Sequence, residues 1–314
     1  MQETTKDERL GSEHLGKLMV SLAVPAVAAQ LINVLYNIVD RIYIGHIQGY
    51  GDMALTGVGV TFPIIMLIAA FSAFAGMGGA PLASIQLGKH DYDRAELILG
   101  NSAGLLVIFS VVLTIAFSIF KTPVLYAFGA SETTIQYAES YIGIYLLGTI
   151  FVQFAVGLNT FISGQGEARI AMLSVLIGAI INICLDPVFI FVFGMGVKGA
   201  ALATIISQAV SAAWVIKFLT SKKSVIRLKA KNMRLKGDVV KHIGGLGISP
   251  FIMQSTESLV NITLNSGLQK YGGDLYVGTM SIMTSIMQLI VIPIQGITQG
   301  VQPIISYNYG AGNK

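Results

Sequence analysis

The chain has 314 residues, of which 54% are hydrophobic and only 11% charged, with a net charge of +4 and a mean hydropathy of +0.71. Soluble domains carry charged residues at about 25%, so this composition excludes an ordinary soluble protein and indicates an integral membrane protein. The one cysteine, Cys184, excludes an internal disulfide framework and a multi-thiolate metal centre.

Residues 1–17 form a polar N-terminal segment of mixed charge. The apolar run that follows is too long for a signal-peptide core, so the first helix is expected to stay in the mature protein. Transmembrane helices need about 20 mostly apolar residues. Such stretches are expected at Lys17–Ile47, Met53–Leu87, Glu96–Phe120, Ile135–Ser163, Ala168–Phe193, Gly199–Leu219, His242–Gln269 and Leu275–Tyr307. The expectation is therefore an all-α polytopic membrane protein with about eight helices. Gly100 and Gly104 have the small-xxx-small spacing that lets two membrane helices approach closely, and are expected to pack one helix on another.

Lysines and arginines fall on alternate loops. Lys6, Arg9 and Lys17, then Lys89 and Arg94, then Arg169, then the run from Lys217 to Lys241, and finally Lys314 lie on one side. The other side has only Arg41, Lys121, Lys198 and Lys270. This bias sets orientation in membranes, so the first side, with the N-terminus, is expected to be cytoplasmic. The basic run could also meet anionic lipid headgroups. Basic residues confined to loops do not support nucleic-acid binding.

An internal repeat emerges when Pro81 is shifted onto Pro303. Gly76 to Gly88 then lies over Thr298 to Gly310, matching Gly78 with Gly300, Ser84 with Ser306 and Gly88 with Gly310, and Gly51-Asp52 falls on Gly273-Asp274. Two parallel copies of a six-helix unit follow, a recurrent plan among transporters. The expected division is a first lobe at 18–219, a basic cytoplasmic linker at 220–241 and the start of a second lobe at 242–314. The second copy stops after its second helix, so four helices of the first copy have no counterpart and the chain reads as lacking its C-terminal part.

Two carboxylates lie inside the apolar stretches: Asp40 in the first and Asp186 in the fifth. An ionisable group at such depth costs about 2.5 to 3.5 kcal/mol on insertion scales, so it usually faces a cavity, a partner or an ion path. A pairing of Asp40 with Arg41 would be strained, because adjacent helix residues point to different faces.

The stretch Tyr36-Asn37-Ile38-Val39-Asp40, the turn Gly164-Gln165-Gly166, the element Asn182-Ile183-Cys184-Leu185-Asp186-Pro187, the run from Gly196 to Thr204 and Gln302-Pro303 together resemble the multidrug and toxic compound extrusion (MATE) family. The resemblance is closest to its branch related to DNA-damage-inducible protein F. It implies twelve helices in two lobes and a plasma-membrane exporter, not an enzyme. Such a protein moves amphipathic, often cationic compounds against H+ or Na+ without a cofactor. Its ion-coupling residues would be Asp40, Asp186, Asn182, Thr204 and Tyr36. By helical rise, Asp40, Asp186 and Thr204 sit about 10 Å, 10 Å and 9 Å below the outer ends of their helices. Tyr36 and Asn182 each precede an aspartate by one helical turn, on the same face.

A carboxylate pair suits proton coupling, while the same oxygens with those of Asn182 and Thr204 suit Na+, so the coupling ion stays open. Pro187 removes a backbone hydrogen bond beside this cluster and is expected to bend the fifth helix. Asn159 and Glu257 are weaker candidates. Asn159 stands at a family-typical position near the cytoplasmic end of the fourth helix, and an acid like Glu257 belongs in related branches to a second-lobe ion site. Two other functions remain open. A lipid-linked saccharide flippase of the same superfamily would be expected to line its cavity with several Arg or Lys, and a non-transporting piece would need a missing C-terminal half as partner.

Overall fold

The computed structural model describes residues 9–313, so Lys6 and Lys314 lie outside the described residues. Many side chains between 265 and 289, those of Gly273 and Asp274 among them, also lie outside the described set.

After a short helix α1 (Arg9–Ser12), the chain builds α2 (Leu15–Gly45), α3 (Gly51–Gly88), α4 (Tyr92–Ala127), α5 (Ile135–Leu147), α6 (Thr149–Gln153), α7 (Asn159–Gly164), α8 (Ala168–Pro187), α9 (Val197–Thr220) and α10 (Gly237–Ala311). Among the described residues, five helices, α2, α3, α4, α8 with its extension to Val192, and α9, are long and apolar enough to cross a membrane. A sixth span is the broken pair of α5 with α6 and α7, bent by 64°. These six match the first six expected spans at nearly every boundary, except that α4 runs past the expected Phe120 to Ala127. The chain is a polytopic all-α membrane protein.

Local sequence explains the breaks. The turn between α3 and α4 needs a left-handed residue, supplied by His90 at φ 59°. Asp91 then caps α4 by accepting a hydrogen bond from Arg94 N at 3.0 Å, which satisfies one of the free N–H groups of the first turn. At Pro187 the missing N–H ends the α-helical pattern and the backbone widens into a π turn, Val188–Val192. A second π turn at Phe154–Leu158 interrupts the fourth span, and nothing in the residue spacing pointed to it.

The seventh and eighth expected spans differ from expectation, because helical backbone runs from Gly237 to Ala311, 75 residues, with no break near Gln269. Straight, such a helix would be about 112 Å long. Yet Gly247 lies against Phe74 and Gly310 against Ile85, two positions on α3 only about 17 Å apart by helical rise. The segment must therefore fold back on itself. Its first limb runs antiparallel to α3 as far as Ser258, whose Oγ donates to Pro63 O at 3.3 Å. Its second limb returns along α2, with Gly296 on Val27 and Gly300 on Ala23.

Two apolar layers stack along the bundle. One, around Leu99, Leu106, Phe161, Ile243 and Tyr307, lies toward the linker. The other, around Ile44, Ile64, Ile142, Ile190 and Ala200, lies toward the opposite end.

The basic linker is strapped onto the bundle. Gln165 Oε1 accepts from Ser224 Oγ at 2.9 Å, Val225 N at 2.8 Å and Ile226 N at 3.2 Å. Glu96 accepts from Arg227 N at 3.1 Å and pairs with Lys229. Asn101 donates to Asn232 O at 3.1 Å and accepts from Lys236 N at 2.7 Å. The expectation that Gly100 and Gly104 pack two membrane helices is corrected here. A methyl at Gly100 would lie 2.6 Å from the carbonyl carbon of Asn232, and one at Gly104 would lie 3.4 Å from that of Met233. The glycines make room for the linker strap.

Candidate ion-coupling site

Asp40 on α2 is 8% exposed and Asp186 on α8 is fully buried. The two helices pack together, and the carboxylates face each other as an interacting pair. One turn before Asp186, Asn182 donates from Nδ2 to Asp186 Oδ1 at 3.2 Å. Arg41 does not neutralise Asp40 by a salt bridge. Its guanidinium lies over the Phe62 ring, 5.3 Å from the centroid.

Thr204 reaches the cluster from α9 because of how that helix starts. Gly194 and Gly196 take left-handed φ of 63° and 55°, turning the chain sharply after the π turn. Gly199 then lets α9 press on the preceding segment, since a methyl there would lie 2.7 Å from the Phe189 carbonyl carbon. Thr204, a turn and a half further on, is buried. Its hydroxyl interacts with that of Tyr141 on α5. Tyr36 is half-buried beside Gln208 and Asn37.

All five leading candidates, Asp40, Asp186, Asn182, Thr204 and Tyr36, thus converge. Sequence reasoning missed Tyr141, Tyr145 and Gln208. Tyr141 and Tyr145 are buried and their rings stack with centroids 6.2 Å apart. The signal that could have found them is spacing: Tyr145 and Gln208 follow Tyr141 and Thr204 by one helical turn, on the same faces.

Asn159 is not part of the cluster. It donates to Ala171 O at 3.2 Å and accepts from Ser174 Oγ at 3.2 Å, tying α7 to α8. Ser174 lies about 18 Å along α8 from Asp186. Glu257 is exposed on the first limb of α10, apart from the pair.

Three acceptor oxygens of the cluster are left over. Asp40 Oδ1, Asp186 Oδ2 and Asn182 Oδ1 are buried without a hydrogen-bond partner. Buried carboxylate oxygens left so are costly unless a proton or a cation joins them. No group of three or more His, Cys, Asp or Glu is assembled among the described residues. The donor set is a pair of carboxylates with amide and hydroxyl oxygens, which fits a proton or a small hard monovalent cation.

The MatE family model matches residues 25–188 and 250–314. The chain belongs to the MATE family. It is 27% identical over 307 residues to the multidrug export protein MepA of Staphylococcus haemolyticus, covering 97% of this chain and 67% of that protein. It is 28% identical over 311 residues to MepA of Staphylococcus saprophyticus, with the same coverage. Among solved structures it is similar to the MATE multidrug transporter DinF-BH, at 38% identity and a TM-score of 0.91 over 98% of this chain and 69% of that one. It also resembles an outward-facing MATE transporter of the MOP superfamily, at 27% identity and a TM-score of 0.90 over 99% of this chain and 69% of that one. The chain thus spans about two thirds of the length of these relatives. As a MATE protein it is a multi-pass plasma-membrane transporter of the multidrug efflux class, not an enzyme.

Proposed function

We propose that this MATE chain acts in secondary active export of amphipathic, often cationic organic compounds, with inward H+ or Na+ bound at Asp40 and Asp186. The observation that carries this reading is the facing carboxylate pair with its unpartnered buried oxygens. An ion arriving from the far end discharges the pair and favours one arrangement of the helices. Substrate favours another, and exchange follows from the difference in affinity. Asn182 orients Asp186 through its hydrogen bond, and Thr204 and Tyr36 supply further hydroxyl oxygens. The division into a first lobe at 18–219, a linker at 220–241 and a second-lobe segment from 242, with the linker end cytoplasmic, belongs to the same proposal. Its support is the basic strap on one end of the bundle and the fold-back of α10 against α2 and α3.

The test is binding of a lipophilic cationic dye to the purified chain, titrated against pH and against Na+. Bound dye should be displaced by one of these ions, and Asp40→Asn and Asp186→Asn should bind dye without that ion dependence. Ion dependence equal to wild type in both variants overturns the site, and dye binding indifferent to both ions in wild type overturns the coupling.

A further inference from the structure

The fourth span is bent by 64° where α5 meets α6, and the bend is held from three sides. At its corner Gly148 leaves room for α9, since a methyl there would lie 2.6 Å from Ile205 Cγ1, and Ile205 is the neighbour of Thr204. The Leu146 carbonyl beside the corner accepts from Thr114 Oγ1 of α4 at 2.9 Å and from Thr149 Oγ1 at 2.8 Å. On the linker side of the corner, Gln153 ties α6 to α3. Its Oε1 accepts from Ser72 Oγ at 2.8 Å and its Nε2 donates to Ile68 O at 3.2 Å.

Gln153 and Ser72 are both completely buried. An amide in that position is costly unless it is hydrogen-bonded, and a leucine would fill similar space without that demand. What the amide adds is direction. Ile68 and Ser72 lie one turn apart on one face of α3, so an acceptor bond to one and a donor bond to the other fix α6 in rotation as well as in distance. The π turn Phe154–Leu158 begins at the next residue, an irregularity that recurs at functional sites. It too is packed on α3, with a methyl at Gly76 falling 2.6 Å from Gly157 O. Across the corner stand Tyr145 and Tyr141, the latter with its hydroxyl against that of Thr204. Tyr141 lies about 10 Å along the helix from Gly148, so a change of about 6° in the bend would move it by about 1 Å. Functional groups must be held to about 0.5 Å.

We propose that Gln153 is a positioning residue for ion binding: it pins the linker-side limb of the fourth span to α3, sets the bend at Gly148, and so places the Tyr141 hydroxyl on Thr204 beside the carboxylate pair. The proposal rests on the reading of Asp40 and Asp186 as the ion site, and adds to it a residue outside the cluster. Both bonding partners of Gln153 are on α3, so its effect on the ion reaches the cluster through α5. Gln153 and Tyr141 then act as one unit, and the effects of changing them do not add.

The experiment titrates displacement of a lipophilic cationic dye from the purified chain with H+ and with Na+, in wild type, Gln153→Leu, Tyr141→Phe and the double variant. Gln153→Leu should raise the half-saturating concentration of the displacing ion several-fold, while dye affinity at the lowest concentration of that ion stays at wild type. Ser72→Ala, which removes one of the two hydrogen bonds, should give a smaller shift of the same sign. Tyr141→Phe should also raise the half-saturating concentration, and the double variant should raise it no further. If Gln153→Leu does not accumulate as folded protein, Ser72→Ala and its combination with Tyr141→Phe carry the same test. An unchanged half-saturating concentration in Gln153→Leu, or in Ser72→Ala in its place, would overturn the proposal. So would no effect of Tyr141→Phe, additive shifts in the double variant, or dye affinity that falls together with ion affinity. Asp40→Asn and Asp186→Asn in the same titration keep the two claims apart. Loss of ion dependence in both, with Gln153→Leu matching wild type, sinks the positioning role alone, whereas wild-type ion dependence in both sinks the site itself.

Discussion

The two ends of the bundle solve opposite problems. Toward the far end, apolar packing drawn from all six spans surrounds a polar cluster with oxygens left without partners on Asp40, Asp186 and Asn182. Toward the linker, Gln165, Glu96 and Asn101 each hold the strap by hydrogen bonds, and glycines bring helix backbones into contact. On the proposed reading the far end takes up the ion, while the linker end holds the strap in place.

The largest expected effect is at the cluster. Asp40→Asn and Asp186→Asn keep the shape but cannot cycle a charge, so either should abolish ion-coupled dye efflux in cells while leaving expression at the membrane intact; dye efflux at the normal rate in both would break the comparison. Next comes Asn182→Ala, which removes a hydrogen bond to a carboxylate. Such bonds are worth about 1.5 to 3 kcal/mol, so the half-saturating ion concentration for dye displacement should shift about tenfold or more. A comparable loss is expected from Gly199→Val, which lifts α9 off Phe189 and withdraws Thr204. Dye binding in the absence of the ion would be retained, which distinguishes a displaced ligand from an unfolded protein.

Effects at the linker end should spare ion binding and appear as loosened structure. Glu96→Gln leaves Lys229 without its carboxylate and weakens the hold on Arg227 N, so limited trypsin digestion should cut at the linker several-fold faster while the ion dependence of dye binding stays at wild type. Trypsin resistance equal to wild type would mean that the glutamine and asparagine anchors hold the strap unaided. The smallest effect concerns orientation. Lys222→Cys in a Cys184→Ala background should resist a membrane-impermeant thiol reagent on intact cells and react once the membrane is permeabilised. Ready labelling in intact cells would place the linker end outside.

The site was more legible in the sequence than the packing around it. Asp40 and Asp186 stood out because a charge is expensive inside an apolar helix, whereas Asn182, Thr204 and Tyr36 were expected from the family resemblance. Tyr141 and Tyr145 did not, since a tyrosine in a membrane helix reads equally as ring packing and only the fold shows where its hydroxyl goes. Gly100 and Gly104 announced a close approach correctly, but spacing cannot say what approaches, and the partner is an irregular strap. The Gly-Gly-Asp at 272–274 read as a break between two spans, whereas helical hydrogen bonding continues across it while the path turns back. The glycine matches of the repeat were visible, but what each glycine lies against required the three-dimensional arrangement.

The central claim is that the carboxylate pair exchanges an ion when substrate binds. It is tested most directly by adding a lipophilic cationic dye to the purified chain in weakly buffered detergent solution and following H+ and Na+ release with ion-selective indicators. The account predicts release of one of the two ions in proportion to the dye bound, and none from Asp40→Asn or Asp186→Asn. Release of the same size from both variants as from wild type, or dye binding with no ion released by wild type, would contradict it.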